Sequence, residues 1–200
     1  MGGPIVARAH FAEAPHVGNP PIPRSNARRT MNKPFQPTGE NDCGRLFLRA
    51  AAARLEKDYI PKLEICLERL SESDLWWRPN KACNCVGQLL LHLEGNLRQW
   101  VLCGLGGLED DRKRDLEFSP TAQPSGTELR DRLRRTADEA VHILRNLPLP
   151  ELLRIRRIQV YDVTGLHAAL HAVEHFSGHT GQIIWITKLR TGKDLGFYSL

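Results

Sequence analysis

Proline placement is the strongest constraint on what this chain can fold into. Seven of its 13 prolines (Pro4, Pro15, Pro20, Pro21, Pro23, Pro34 and Pro37) fall in the first fifth of the 200 residues. A proline lacks the amide hydrogen and crowds the preceding helical turn, so a segment this dense in it sustains neither a helix nor a sheet ladder. Residues 1–42 therefore read as a disordered extension, with Met31 as an alternative initiator inside it. Residues 43–200 must then carry the core, and chains of about 100–200 residues usually build one domain.

From Gly44 onward the apolar spacing is helical, and four long helices can be bounded from their punctuation. The first, 44–70, places Leu46, Phe47, Ala50, Ala51, Leu55, Ile60, Leu63, Cys66, Leu67 and Leu70 on one face, with a kink or split expected at Pro61. Trp76, Trp77 and Pro79 make a rigid connection to the second, 86–103, which Cys85-Val86-Gly87-Gln88 opens as a capping box with a thiol in place of Ser. Ser125-Gly126-Thr127-Glu128 is a full capping box for the third, which Pro148 and Pro150 end. The fourth starts near Asp162 or Thr164 and runs to about Arg190, with Gly192 just past its end. Residues 151–160 fit neither period and stay open between a short extended segment and a turn. The expected fold is all-α, a four-helix bundle with one long loop at 104–124.

Composition excludes several classes. No run of 18 apolar residues exists, so no membrane span is expected. The 28 basic residues are interleaved with 23 acidic ones and few aromatics stand beside them, so a nucleic-acid partner is not expected despite a net charge of +5. Cys43, Cys66, Cys83, Cys85 and Cys103 are odd in number and irregularly spaced, and the N-terminus lacks an export signal's apolar run. A reduced, cytoplasmic protein is the expectation.

Four of the eight histidines (His167, His171, His175, His179) recur at intervals of four in the last helix. Each step turns the helix by about 400°, so neighbours lie about 40° apart and one turn along, but the series drifts by about 120° and cannot share one ion. One adjacent pair must supply two ligands, and spacing alone leaves three pairs open. A third ligand must come from another helix. His92, in Leu89-Leu90-Leu91-His92-Leu93, is the obvious donor, although a buried histidine of this kind is also often a hydrogen-bonded core residue. Glu174 beside the pair is either a general base, an orienting carboxylate or a solvated charge. Asn96 and Gln182 are placed to project near the same region. Cys83 and Cys85 read as small buried or capping thiols, Trp76 and Trp77 as core packing, and the Arg112-Lys113-Arg114 and Arg154–Arg157 clusters as solvated loops.

Two of these segments carry a family resemblance. His175-Phe176-Ser177-Gly178-His179-Thr180-Gly181-Gln182-Ile183 resembles the HxxxHxGQI signature of the DinB/YfiT-like four-helix bundles, and Cys85 to Leu93 resembles their second-helix motif. The likeness runs from Leu46 to Phe197, through Trp76-Trp77-Arg78-Pro79, Gly95-Asn96-Leu97-Arg98-Gln99-Trp100 and Gly192 to Phe197, and points to an uncharacterised branch. Cys85 departs from the usual Ser or Thr cap. The resemblance implies that His92, His175 and His179 hold a divalent ion, with His171 outside the motif. Imidazole-rich sites suit zinc or nickel, and His171, one turn before His175, is placed to orient a ligand or to line the cleft as a base without binding the ion. Three neutral histidines leave a coordination position open, so the ion can activate water or bind a thiolate. The resembled family includes bacillithiol and mycothiol S-transferases, a mycothiol-dependent isomerase and proteins labelled metal-dependent hydrolases. The implied function is therefore transfer of a low-molecular-weight thiol to a small electrophile, with hydrolysis of a small substrate or a non-enzymatic stress-associated metal-binding role as alternatives, in a chain that forms a homodimer.

Overall fold

The computed structural model describes residues 43–197; the extension expected over 1–42 lies outside the described residues. The first long helix comprises α1 (Cys43–Arg54), one π-helical turn (Leu55–Tyr59) and α2 (Ile60–Arg69). The break expected at Pro61 takes the form of that π turn. Pro61, in the first turn of α2, has no amide hydrogen to donate and its ring needs room beside the preceding carbonyls, and the wider turn gives the ring that room. Leu48, Ala51, Ala52, Leu55, Ile60, Leu63 and Cys66 are buried from this run.

Ser71 and Asp74 cap the short α3 (Glu72–Leu75) reciprocally: Asp74 N donates to Ser71 Oγ at 3.2 Å and Ser71 N to Asp74 Oδ2 at 3.3 Å. Trp76 then packs its ring across the start of α4 (Val86–Leu97), where a β-carbon on Gly87 would stand 2.8 Å from the indole. Cys85 N donates to Gln88 Oε1 at 3.0 Å, as the thiol capping box predicted. Every residue of α4 except Glu94 is buried, and the helix continues into a second π turn at Arg98–Cys103. The segment 104–124, expected as a loop, holds the short α5 (Arg114–Phe118) packed on α4. Helix α6 (Gly126–Asn146) has Ser125 as its cap, accepting from Glu128 N at 3.2 Å. The expected full capping box is only half made, since the Glu128 side chain does not return to the Ser125 amide; the next amide, that of Gly126, instead donates to the Glu72 carboxylate at 3.0 Å.

The undecided stretch resolves into a 3-10 turn (Leu149–Leu152) and an antiparallel hairpin of β1 (Ile155–Ile158) and β2 (Tyr161–Thr164), with Ile155 opposite Thr164 and Ile158 opposite Tyr161. Helix α7 (Gly165–Thr191) follows directly; Thr164 Oγ accepts from His167 N at 3.2 Å, and Gly192 at φ 63 closes its end. Helix α4 lies against α6 and α7, α1 packs on α6 and α2 on α7, which makes the four-helix bundle. Its centre is aliphatic, and each fully buried Leu contributes about 1.5–3 kcal/mol. Among the described residues no helix is long and apolar enough to cross a membrane.

Candidate metal centre

Two helices of different character meet at the histidines. Because α4 runs through the core, His92 is only 7% exposed between Leu91 and Leu93. In α7 the buried stripe is Ala168, Ala172, Phe176, Thr180, Ile183 and Thr187. His171, His175 and His179 each precede a member of that stripe, about 100° around the helix, so they flank the core, half-buried. His167 precedes Ala168 in the same way but lies in the first turn of the helix and is exposed.

The structure brings together His92, His175 and His179, with one nitrogen of each within 4.8 Å of the others. His92 Nε2 and His175 Nε2 face each other at 3.0 Å, and the His179 ring centroid lies 4.5 Å from that of His175 and 5.1 Å from that of His92. His171 stands outside this group. Its ring lies over Trp100 at 3.8 Å between centroids, and its Nε2 is 3.4 Å from Asn96 Nδ2. Glu174 is exposed and reaches His171 only through its charge.

A buried ion pair, invisible to spacing, fixes one imidazole. Glu117 Oε2 is 2.8 Å from His92 Nδ1, and Arg112 spans the same carboxylate, Nε to Oε1 at 2.7 Å and Nη2 to Oε2 at 2.9 Å. The two side chains are 5% and 9% exposed for Arg112 and Glu117, so Arg112 belongs to the site rather than to a solvated loop. Burial alone would push the Glu117 carboxyl up, but the bonds from His92 and Arg112 outweigh it and hold it below the usual carboxylate range. An ionised carboxylate only accepts, so His92 Nδ1 carries the proton and Nε2 presents a lone pair. Gln182 Oε1, 2.7 Å from His179 Nδ1, sets the same tautomer there. Gly95 makes the room: a β-carbon at that position would stand 2.2 Å from Glu117 Oε1.

Burial pushes the His175 imidazole down to about 3, with the neighbouring His179 and His92 adding to the effect. It lowers His179 as well, against the bond to Gln182, and His171 with His167 adding. Neutral imidazoles with inward lone pairs are the donor set that a divalent transition metal takes. His175 Nδ1 is buried without a partner, and its Nε2 shares at most one proton with His92, a placement that an ion fits better than a hydrogen bond does.

A cleft of about 600 Å³ opens against Gln182, the partner of His179; the three histidines themselves do not line it. Trp77, Leu89, Trp185 and Ile186 line it, and Gly178 and Gly181 leave one side bare. Trp77 is thus a cleft residue, whereas Trp76 packs on the core as expected. Cys85 is buried and its thiol is pushed up by burial, so it serves as a cap. Sequence reasoning missed Glu117, Arg112 and Gln99; the one local signal was a lone carboxylate in Leu116-Glu117-Phe118.

Residues 42–200 match the model of the family described as Protein of unknown function (DUF1572). A DinB-like protein of Bacillus subtilis, YjoA, shares the fold at 18% identity and a TM-score of 0.56, over 76% of this chain and 97% of that one. A DinB-like protein of Bacillus cereus does so at 16% identity and a TM-score of 0.57, over 76% and 95%. No curated protein matches the sequence. The DinB-like bundle expected from the two histidine motifs is the fold found.

Proposed function

This chain belongs to the DUF1572 family, and on that premise we propose that it is a divalent-metal-dependent enzyme acting on a small molecule, with His92, His175 and His179 holding the ion. The observation that carries the reading is the pair of facing Nε2 atoms at 3.0 Å, one of them stripped of its proton by the Glu117 bond. Zinc or nickel suits three imidazoles. When bound, such an ion supplies a low-pKa water or a thiolate at its open position.

The chain's own residues do the rest. Glu117 and Arg112 hold His92 in one tautomer, and Gln182 holds His179. The apolar walls of the adjoining cleft, Trp77, Leu89 and Trp185, take the carbon skeleton of an electrophile. We take transfer of a low-molecular-weight thiol to a small electrophile as the first reading, and the cleft supports it only in offering apolar surface to the electrophile. Hydrolysis is the second reading, and one observation favours it: His171 is a neutral, half-buried imidazole one turn from His175 and outside the ligand group, its ring held over Trp100, where it can serve as a base for a water. Glu174 raises the basicity of His171 through its charge.

The test is a panel of low-molecular-weight thiols offered to the zinc- or nickel-loaded protein with a chromogenic electrophile. Thiol-dependent turnover that His175→Ala abolishes supports transfer. Release of the chromophore without any thiol supports hydrolysis, and no turnover with either metal contradicts both.

A further inference from the structure

Gln159, at the tip of the hairpin between β1 and β2, has φ 55 and is the one non-glycine residue with a positive φ among the described residues. Glycine adopts that conformation without a steric cost and is favoured in two-residue hairpin turns, so a glutamine there needs a reason. Its side chain supplies one. Gln159 Nε2 donates to Gln99 Oε1, which also accepts from Arg112 Nη1 at 2.8 Å. Gln99 Nε2 donates in turn to Asp110 Oδ2 at 2.7 Å. Gln99 is 8% exposed, on the π turn that continues α4.

Arg112 then grips Glu117, and Glu117 accepts the proton of His92 Nδ1. An unbroken series of hydrogen bonds thus joins a strained hairpin tip to a histidine that faces α7. The hairpin is itself anchored for this purpose. Ile158 packs on Gly104, where a β-carbon would stand 2.4 Å from its Cδ1, and Arg156 Nη1 donates to Gly104 O at 2.7 Å. Gly104 directly follows the π turn that carries Gln99.

We propose that Gln159 and Gln99 are positioning residues for the metal centre: the hairpin tip fixes Gln99, Gln99 fixes the guanidinium of Arg112, and Glu117 is thereby held where it sets the tautomer and direction of His92. This rests on the reading that His92, His175 and His179 bind a metal. Partners of ligating histidines commonly change metal affinity by about 10–100-fold when removed. Gln159, three bonds further out, has a smaller effect.

The test is zinc affinity of the metal-free full chain, measured by competition with a chromophoric chelator, together with the thermal midpoint of the same metal-free samples. Gln159→Gly removes the side-chain bond and relieves the backbone, so site and scaffold respond in opposite directions. The expected result is an unchanged or raised midpoint with zinc affinity weakened about 3- to 10-fold, below the range for a direct partner. Gln99→Met, which keeps the volume and deletes the amide, weakens zinc by about tenfold or more. The cobalt-substituted protein shows a shifted visible absorption in both variants. Unchanged affinity in Gln159→Gly overturns the role of Gln159, and unchanged affinity in both variants overturns the whole inference. A wild type that takes up no zinc in the same titration overturns the metal reading and this inference with it.

Discussion

Glu117 Oε2 and His92 Nδ1, 25 residues apart in sequence, lie 2.8 Å apart because residue 95 has no side chain to hold them off. Adding one methyl group tests this arrangement. In Gly95→Ala the new β-carbon would stand 2.2 Å from Glu117 Oε1, so the carboxylate moves and His92 loses its orienting partner. Zinc affinity falls by about 10–100-fold and stability by about 1–3 kcal/mol, read by chelator competition and by urea unfolding. Unchanged zinc affinity would contradict the role given to Glu117.

Two other glycines respond in opposite senses. Gly87→Ala drives a methyl group into the Trp76 ring, 2.8 Å away, and destabilises by about 1–3 kcal/mol. Gly181→Ala meets open space on an exposed stretch of α7 and gains up to about 1 kcal/mol of helix propensity. Its methyl group nevertheless intrudes on the cleft, so kcat/KM falls as the thermal midpoint rises. Midpoints that move together would contradict the packing described for these positions.

Much of this was legible in the chain because it is local chemistry. Thr164, Ser125 and Gly192 announce helix ends through their own hydrogen bonds and conformations, and Pro148 forbids continuation. His175 and His179 were legible for the same reason, since a spacing of four places them one turn apart wherever the helix goes. His92 stood out as a polar group among leucines. The rest depends on contacts that sequence distance hides. Arg112 and Glu117 lie in an aperiodic segment, and nothing local shows that they fold onto α4. The hairpin escaped because Arg156 breaks the apolar alternation, turning its guanidinium to Gly104 O and Glu151 O instead of to solvent. The Glu72 carboxylate, 54 residues away in sequence, accepts from the Gly126 amide at the start of α6, a cap that no local pattern announces.

Acid weakens the metal-free protein. An unfolded histidine binds a proton near pH 6.5, whereas the folded His175 holds out to about 3, and His179 and His171 are lowered too. Between those limits the unfolded chain binds more protons, so stability is full above pH 6.5 and is lost as pH falls toward 3. Glu117, held low in the fold, adds a loss of the same sign at the acid end. The urea midpoint of metal-free protein falls steadily from pH 7.5 to 4.5, and His175→Ala flattens the slope. A midpoint independent of pH over that range would contradict the burial of these imidazoles in their neutral form.

His171 separates binding from chemistry. Its ring is held over Trp100 and beside Asn96, outside the group formed by His92, His175 and His179. His171→Ala therefore keeps the ion, and if the reaction is hydrolysis it lowers kcat with loss of the pH dependence that a base imposes, whereas thiol transfer is left unchanged. A variant that loses the metal would place His171 among the ligands.

The central claim is that His92, His175 and His179 bind one divalent ion, and metal content tests it most directly. Protein purified without chelator and measured by plasma mass spectrometry is expected to hold close to one zinc or nickel ion per chain, with His92→Ala, His175→Ala and His179→Ala each losing most of it while His167→Ala and His171→Ala retain it. Full occupancy in His175→Ala, or none in the wild type after reloading with either metal, would contradict it.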